Sequence, residues 1–258
     1  SQTGFGAING KRSLNRQMVG SLIIFTREQE PSVELQTLLD QNQVRWLHAP
    51  LICTQGNPLP LIFEEKLVKA DWVFFTSANT VQLFLPYLRP DLKIASIGSQ
   101  TSKLLREHQL DVTFESSSQY GVDFIKEWAS QYGDQQNILF PHSDLANPTY
   151  PKMLEELGHD VYAWPLYQTV ANQEGVAKIR GILSLEEKCV WTFASPSAWD
   201  VFYQEGLSLP KHHQIGVIGE TTAKAVLDCG ASVNYMPSSP SMLQLVEVII
   251  KEIQDHEF

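Results

Sequence analysis

Short apolar runs, each closed by Ser, Thr, Gly or Pro, alternate along the chain with longer stretches of mixed polarity. The runs are LIIF (22–25), WVFF (72–75), KIASIG (93–98), ILF (138–140), CVWTFA (189–194) and IGVIG (215–219). A nearly continuous apolar run of three to six residues suits a strand covered on both faces, so the runs predict parallel strands inside a layered fold. Between them apolar positions recur at helical spacing, as in Val33–Leu35–Leu38–Leu39 and Met153–Leu154–Leu157. Gly158 and Gly230 stand where such stretches should stop. Strand and helix alternating through short connections predict an α/β architecture of parallel sheet flanked by helices.

The pattern is written twice. WVFFTSANTVQLF (72–84) answers VWTFASPSAWDVF (190–202), with Ser77 on Ser195 at an offset of 118. KIASIGSQTSKLL answers QIGVIGETTAKAV at an offset of 121, which sets Gly98 on Gly219, Thr101 on Thr222 and Lys103 on Lys224. SLIIFTRE (21–28) resembles NILFPHSD (137–144), and PLICT (50–54) resembles PLYQT (165–169). A tandem duplication with drifting offsets predicts two similar α/β lobes. The lobes are either contiguous, 21–136 and 137–258, or exchanged, with the two PL-x-x-T segments as extended crossovers that bridge them.

Composition narrows the functional classes. The chain has 258 residues, 43% of them hydrophobic, enough for a packed core. Its 19 Lys and Arg against 29 Asp and Glu give a net charge of −10, which argues against nucleic acid and against an anionic membrane surface. No apolar run reaches the length of a membrane span. Cys53, Cys189 and Cys229 form no CxxC pair and predict a reduced, cytoplasmic protein without structural zinc. Residues 1–20, polar and Gly-rich, are expected to be a flexible leader.

Ligands of open α/β sheets bind at the carboxyl ends of the strands, where helix N-termini turn their free N–H groups outward. Small polar residues stand at five such ends: Ser77-Ala78-Asn79, Gly98 to Thr101, His142-Ser143, Ser195-Pro196-Ser197 and Gly219 to Thr222 with Thr221. Ser, Thr and Asn also cap helices in any fold. Their recurrence at duplicated positions favours anion binding by neutral donors, a chemistry open to an acidic protein. Arg27, directly after the first strand, and Lys224 add candidate positive charge, although Lys224 equally suits a solvated helix face. His212-His213 are expected in an exposed polar loop. Dinucleotide and P-loop fingerprints, zinc-ligand spacing and a nucleophile elbow are all missing, so no cofactor or metal is expected. Tyr167 breaks the duplication, standing where the first copy has Ile52. A phenol in one copy alone marks either a task or a tyrosine that buries its ring and satisfies its hydroxyl.

Taken in order, FFTSANTV, IGSQTSKLL, ILFPHSD, PLYQTV, TFASPSAWDVF, IGETTAKAV-LDCG and PSSPSMLQLV resemble the uroporphyrinogen-III synthases from Ser21 to about Val248. Glu220 departs from that family's pattern, which commonly has a neutral residue there. The resemblance implies two flavodoxin-like, Rossmann-like lobes joined by a two-stranded linker, one lobe built from 21–50 plus 170–258 and the other from 51–169. It implies a cytoplasmic monomeric hydro-lyase that needs no cofactor. Its substrate is a linear tetrapyrrole, hydroxymethylbilane, cyclised with loss of water and inversion of the last pyrrole ring through azafulvene and spiro intermediates. Tyr167 becomes the expected catalytic donor to the leaving hydroxyl. Arg27, Ser77, Ala78, Asn79, Gly98, Thr101, His142, Ser143, Ser195, Pro196, Ser197, Gly219, Thr221, Thr222 and Lys224 become the expected contacts of its eight carboxylates. The alternative is a non-catalytic bilobal protein that binds a small polyanion.

Overall fold

The structure, a computed structural model, describes residues 20–116, 121–144 and 146–256. Apart from Gly20, the expected leader lies outside the described residues. From the start come β1 (Leu22–Phe25), α1 (Val33–Gln41), β2 (Arg45–His48) and β3 (Ile52–Gly56). The middle of the chain supplies α2 (Phe63–Lys69), β4 (Trp72–Phe75), α3 (Ala78–Phe84), β5 (Lys93–Ser96), α4 (Ser99–Glu107) and β6 (Phe114–Glu115). It continues with α5 (Gly121–Gln131), β7 (Asn137–Ser143), α6 (Thr149–Glu156) and β8 (Asp160–Ala171). The last stretch holds α7 (Gln173–Leu183), β9 (Cys189–Phe193), α8 (Pro196–Gln204), β10 (His213–Val217), α9 (Glu220–Asp228) and α10 (Met242–Asp255).

These elements group into two compact units, one from residues up to Cys53 together with Val170 onward, the other from Thr54–Thr169. The division falls inside β3 and inside β8, the two strands along which the chain passes from one unit to the other.

The first unit is a sheet in the order β10-β9-β1-β2, parallel throughout. Its strands are covered on both faces, which is why LIIF and CVWTF are continuously apolar. Leu22, Ile24, Trp191 and Phe193 point to one face, against α7, α8 and α9 residues such as Ile179, Phe202 and Val226. Ile23, Phe25 and Val190 point to the other, against Leu35 and Leu39 of α1 and Leu245 and Ile249 of α10. The alternate residues of a strand thus feed two separate apolar layers.

In the second unit the sheet runs β3-β8-β7-β4-β5-β6. Val73, Phe75 and Leu139 face one layer with Phe63, Phe84 and Trp164, while Trp72, Phe74, Ile138 and Phe140 face the other with Phe124 and Trp128. The duplication is visible strand by strand. The β5–β6 pair Ala95↔Phe114 recurs in the first unit as the isolated bridge Gly216↔Tyr235, both residues displaced by 121. Under the duplication β2-β1-β9-β10 corresponds to β8-β7-β4-β5, so both units share one flavodoxin-like arrangement, 2-1-3-4 in chain order in the first and circularly permuted in the second, with β1, β9 in one and β7, β4 in the other flanking the point where the order reverses.

Several local expectations are refined. Gly158 and Gly230 do end helices, with φ of 94° and 81°, a conformation a side chain would strain. Val33 is exposed, so α1 packs through Leu35 and Leu39 instead. The run ILF does not end its strand: β7 continues through Pro141, His142 and Ser143. Proline is tolerated there because β7 pairs with β4 only at Ile138 and Leu139, leaving the later N–H groups unneeded on that side. His213 is not in a loop but opens β10, 4% exposed, where its Nδ1 accepts a hydrogen bond from Trp191 Nε1 at 3.1 Å. Polar neighbours in sequence concealed an apolar setting in space.

Candidate active site at the carboxyl ends of the strands

In the second unit the order reverses between β7 and β4, and the polar residues after both strands meet β8 there. Ser77 follows β4 and caps α3, its Oγ accepting the Thr80 N–H at 3.3 Å. The same oxygen lies 2.6 Å from Thr80 Oγ1 and 3.3 Å from the Tyr167 hydroxyl. Ala78 and Asn79 occupy the first turn of α3, both half-buried.

Tyr167 reaches Ser77 because β8 carries an extra residue. His142 pairs with Pro165 and Ser143 with Tyr167, so Leu166 is a bulge. Strict alternation would place Tyr162, Trp164 and Leu166 on one face and Tyr167 on the other. With the bulge, Tyr167 joins the layer of Trp164 and Leu166 and is 5% exposed. Asp144 secures this arrangement from both ends: its N–H donates to the Tyr167 carbonyl at 3.1 Å, and its Oδ1 accepts the Thr169 N–H at 3.1 Å. Beside them the His142 ring nitrogen Nδ1 lies 2.7 Å from the Ser143 carbonyl oxygen. His142 also borders a cavity of about 230 Å³ that includes Lys152.

One strand further out, Gly98 precedes α4 with φ 89° and ψ 140°, backbone that glycine alone adopts without strain. Thr101, at the third position of α4, is buried.

The first unit reverses between β1 and β9. Arg27, just beyond β1, lines a cavity of about 330 Å³ with Ser32, which caps α1, and Met242, the first residue of α10. Its Nε is buried without a hydrogen-bond partner, and burial lowers the guanidinium pKa. A half-buried cation with an unpartnered Nε beside two helix N-termini favours an anion. Glu30, exposed, stands on the same cavity and opposes it.

After β9, Ser195 caps α8 by accepting the Ala198 N–H at 3.4 Å, its Oγ 2.9 Å from that of Ser197, with Pro196 as the first helical residue. Gly219, before α9, is in extended backbone that any residue adopts. An added Cβ there would meet the Pro240 ring at 3.4 Å, an ordinary contact. Thr222 is buried like Thr101, while Thr221 is exposed. Glu220 puts a carboxylate in the first turn of α9. Lys224 is held by Asp228 at 2.6 Å on an exposed helix face, and that carboxylate raises its pKa. The i,i+4 partner fits the solvated helix face that the sequence allows for Lys224 equally with a ligand contact. Among the described residues no group of three or more His, Cys, Asp or Glu could hold a metal ion, and no helix is long and apolar enough to cross a membrane.

Flavodoxin-like units with hydroxyl, amide and arginine groups at their strand ends define a duplicated α/β protein whose candidate donors suit an anionic ligand. Residues 33–247 match the family described as "Uroporphyrinogen-III synthase HemD". The chain belongs to the uroporphyrinogen-III synthase family. It is 27% identical over 250 residues to the chloroplastic uroporphyrinogen-III synthase of Oryza sativa subsp. japonica, covering 91% of this chain and 81% of that one. It is 27% identical over 229 residues to the porphyrin biosynthesis protein HemD of Ruminiclostridium josui, covering 82% of this chain and 45% of that one. The crystal structure of uroporphyrinogen-III synthetase from Helicobacter pylori superposes with a TM-score of 0.65 at 18% identity, over 90% of this chain and 99% of that one, a likeness of fold. These relatives belong to an enzyme family, and nothing favours the non-catalytic binding protein.

Proposed function

We propose that this chain converts hydroxymethylbilane to uroporphyrinogen III, removing the terminal hydroxyl as water and closing the ring with its last pyrrole inverted. Family membership supports the reaction, and the Tyr167–Ser77 pair at the reversal point of the second unit is the observation that carries the assignment of residues. Tyr167 donates a hydrogen bond to the departing hydroxyl and thereby assists formation of the electrophilic azafulvene. Ring closure without inversion needs no enzyme, so the remaining task is conformational: the tetrapyrrole must be folded with the substituted carbon of the last ring nearest the electrophile.

Eight carboxylates suit dispersed donors better than one basic cluster. Arg27, Ser77, Ala78, Asn79, Gly98, His142, Ser143, Ser195, Pro196, Ser197, Gly219 and Thr221 are the proposed contacts, through side chains or through backbone N–H groups at the starts of α4, α8 and α9. Thr101 and Thr222 serve by shaping the first turns beneath them, and Lys224 contributes only if the ligand displaces Asp228. The protein is proposed to act in the cytoplasm as a monomer. Incubation with hydroxymethylbilane followed by separation of the product isomers tests the reading. Uroporphyrinogen III formed faster than the spontaneous reaction is the expected product, and type I alone would refute it. Tyr167→Phe that turns over at the full rate with full isomer III selectivity would remove Tyr167 from its role.

A further inference from the structure

We infer that Thr80, fully buried in the first turn of α3, sets the direction in which the Tyr167 hydroxyl donates. The inference rests on the reading of Tyr167 given above and concerns how its proton is made available.

Three hydroxyls stand in a row, Thr80 Oγ1, Ser77 Oγ and Tyr167 Oη, separated by 2.6 and 3.3 Å. Such a row has two self-consistent polarities. In one, Tyr167 donates to Ser77 and Ser77 donates to Thr80, which leaves the Thr80 proton at the end. In the other, Thr80 donates to Ser77 and Ser77 to Tyr167, which leaves the phenolic proton at the end. Burial decides between them. Thr80 is 0% exposed, and among the described residues its hydroxyl has Ser77 as its one hydrogen-bond partner. A buried hydroxyl that cannot place its proton bears the whole desolvation penalty, whereas an unfilled lone pair costs less. Thr80 therefore donates to Ser77.

The rest follows by counting. Ser77 Oγ accepts from the Thr80 N–H and from the Thr80 hydroxyl, which fills both lone pairs. Its own proton remains, and Tyr167 Oη is the acceptor at hand. Tyr167, receiving that bond, keeps its O–H unspent at the less buried end of the row, where a substrate hydroxyl takes it. Thr80 is thus a positioning residue: it polarises the row so that the phenol is a donor outward instead of a donor into the protein. The bond from Ser77 also makes the phenol a better donor, since hydrogen bonds in a chain polarise one another.

Thr80→Val keeps the β-branched shape and removes the donor. Ser77 then loses its second incoming bond and is free to accept from Tyr167, turning the phenolic proton inward. The expected result is kcat lower by about tenfold, the scale of one net hydrogen bond, with KM unchanged. Thr80→Ser, which restores the hydroxyl, should restore kcat. In a Tyr167→Phe background Thr80→Val should have no further effect. The inference is overturned if Thr80→Val turns over like the parent, if Thr80→Ser does not recover what Thr80→Val loses, or if the loss is the same with Phe at 167. Should Thr80→Val fail to fold, the comparison is made with Thr80→Ala, with the same three expectations. Full activity in Tyr167→Phe alone would instead refute the function given to the phenol, so the two failures are distinct.

Discussion

Gly175, the third residue of α7, offers a quantitative test of how the first unit holds the segment leading into β3. A Cβ built on it would lie 1.6 Å from the carbonyl oxygen of Pro50, where ordinary contact begins at 3.4 Å. Helix propensity alone favours Gly175→Ala by about 1 kcal/mol. Against this, the backbone of Pro50 or of α7 must retreat by roughly 1.8 Å, and overpacking against main chain costs about 1–3 kcal/mol. The retreat also disturbs the cap, in which Asn172 Oδ1 accepts the Gly175 N–H at 3.2 Å and the Asn172 N–H donates to the Leu51 carbonyl at 2.9 Å. Loss of such a cap costs about 1 kcal/mol. The balance is a net destabilisation of about 2 kcal/mol, or a Tm lower by about 4–8 °C for a unit of this size. Gly181 lies in the same helix with nothing within 4 Å of its added Cβ. There Ala should raise the Tm by about 2–3 °C. Thermal melts of the two variants beside the parent supply the measurement. A Gly175→Ala protein that melts at or above the parent would refute the claim that Pro50 is locked against α7.

Three further outcomes are expected. Burial lowers the pKa of His159 and His213, whose Nδ1 atoms accept hydrogen bonds from Gln136 N–H and Trp191 Nε1. The native state therefore binds fewer protons than the unfolded chain below about pH 6.5. Stability should be complete above that pH and fall as pH drops toward the lowered native values, by at most about 1.4 kcal/mol per pH unit for each histidine. Denaturant midpoints between pH 5 and 7.5 should show the slope, and His213→Asn should flatten it. Arg27→Met removes a half-buried charge whose Nε lacks a hydrogen-bond partner, so it should raise stability by about 1 kcal/mol while raising KM for the tetrapyrrole and weakening its salt dependence. An Arg27→Met enzyme with unchanged KM would detach the cavity from the substrate. Ser195→Ala should cost about 1 kcal/mol through the α8 cap and Ser197→Ala much less, while both raise KM, a split that denaturation and steady-state kinetics together can read.

What the sequence made legible follows from range. Continuous apolar runs need both faces covered, so the parallel strands and their doubling could be read from WVFF and CVWTF alone. Ser77 and Ser195 announced themselves because a cap is local, set within three residues. The aim of Tyr167 was not legible, since it depends on the pairing of β8 with β7 and on one residue of slippage in that pairing. Nor was the setting of Arg27, whose cavity takes a wall from Met242 at the far end of the chain. His213 was misplaced for the same reason: its partner Trp191 comes from a neighbouring strand. Thr80 left a trace that could have been used. Thr80, Thr101 and Thr222 all fall at the third position of helices that follow strands, and all three are buried, so the recurring hydroxyl there belongs to the inside of the turn.

The bulge at Leu166 gives the direction of the phenol an arithmetical character. Along a strand each residue changes sides, so which way Tyr167 faces is a matter of odd or even count from the last point of regular pairing. No graded adjustment of neighbouring side chains can correct a wrong count. The same residues paired without the bulge, Leu166 opposite Ser143, would form a more regular ladder with β7 and present the tyrosine to the opposite layer. Improvement of the sheet and loss of the chemistry would then be the same event. In this protein an irregular strand is the condition for having the hydroxyl in reach at all.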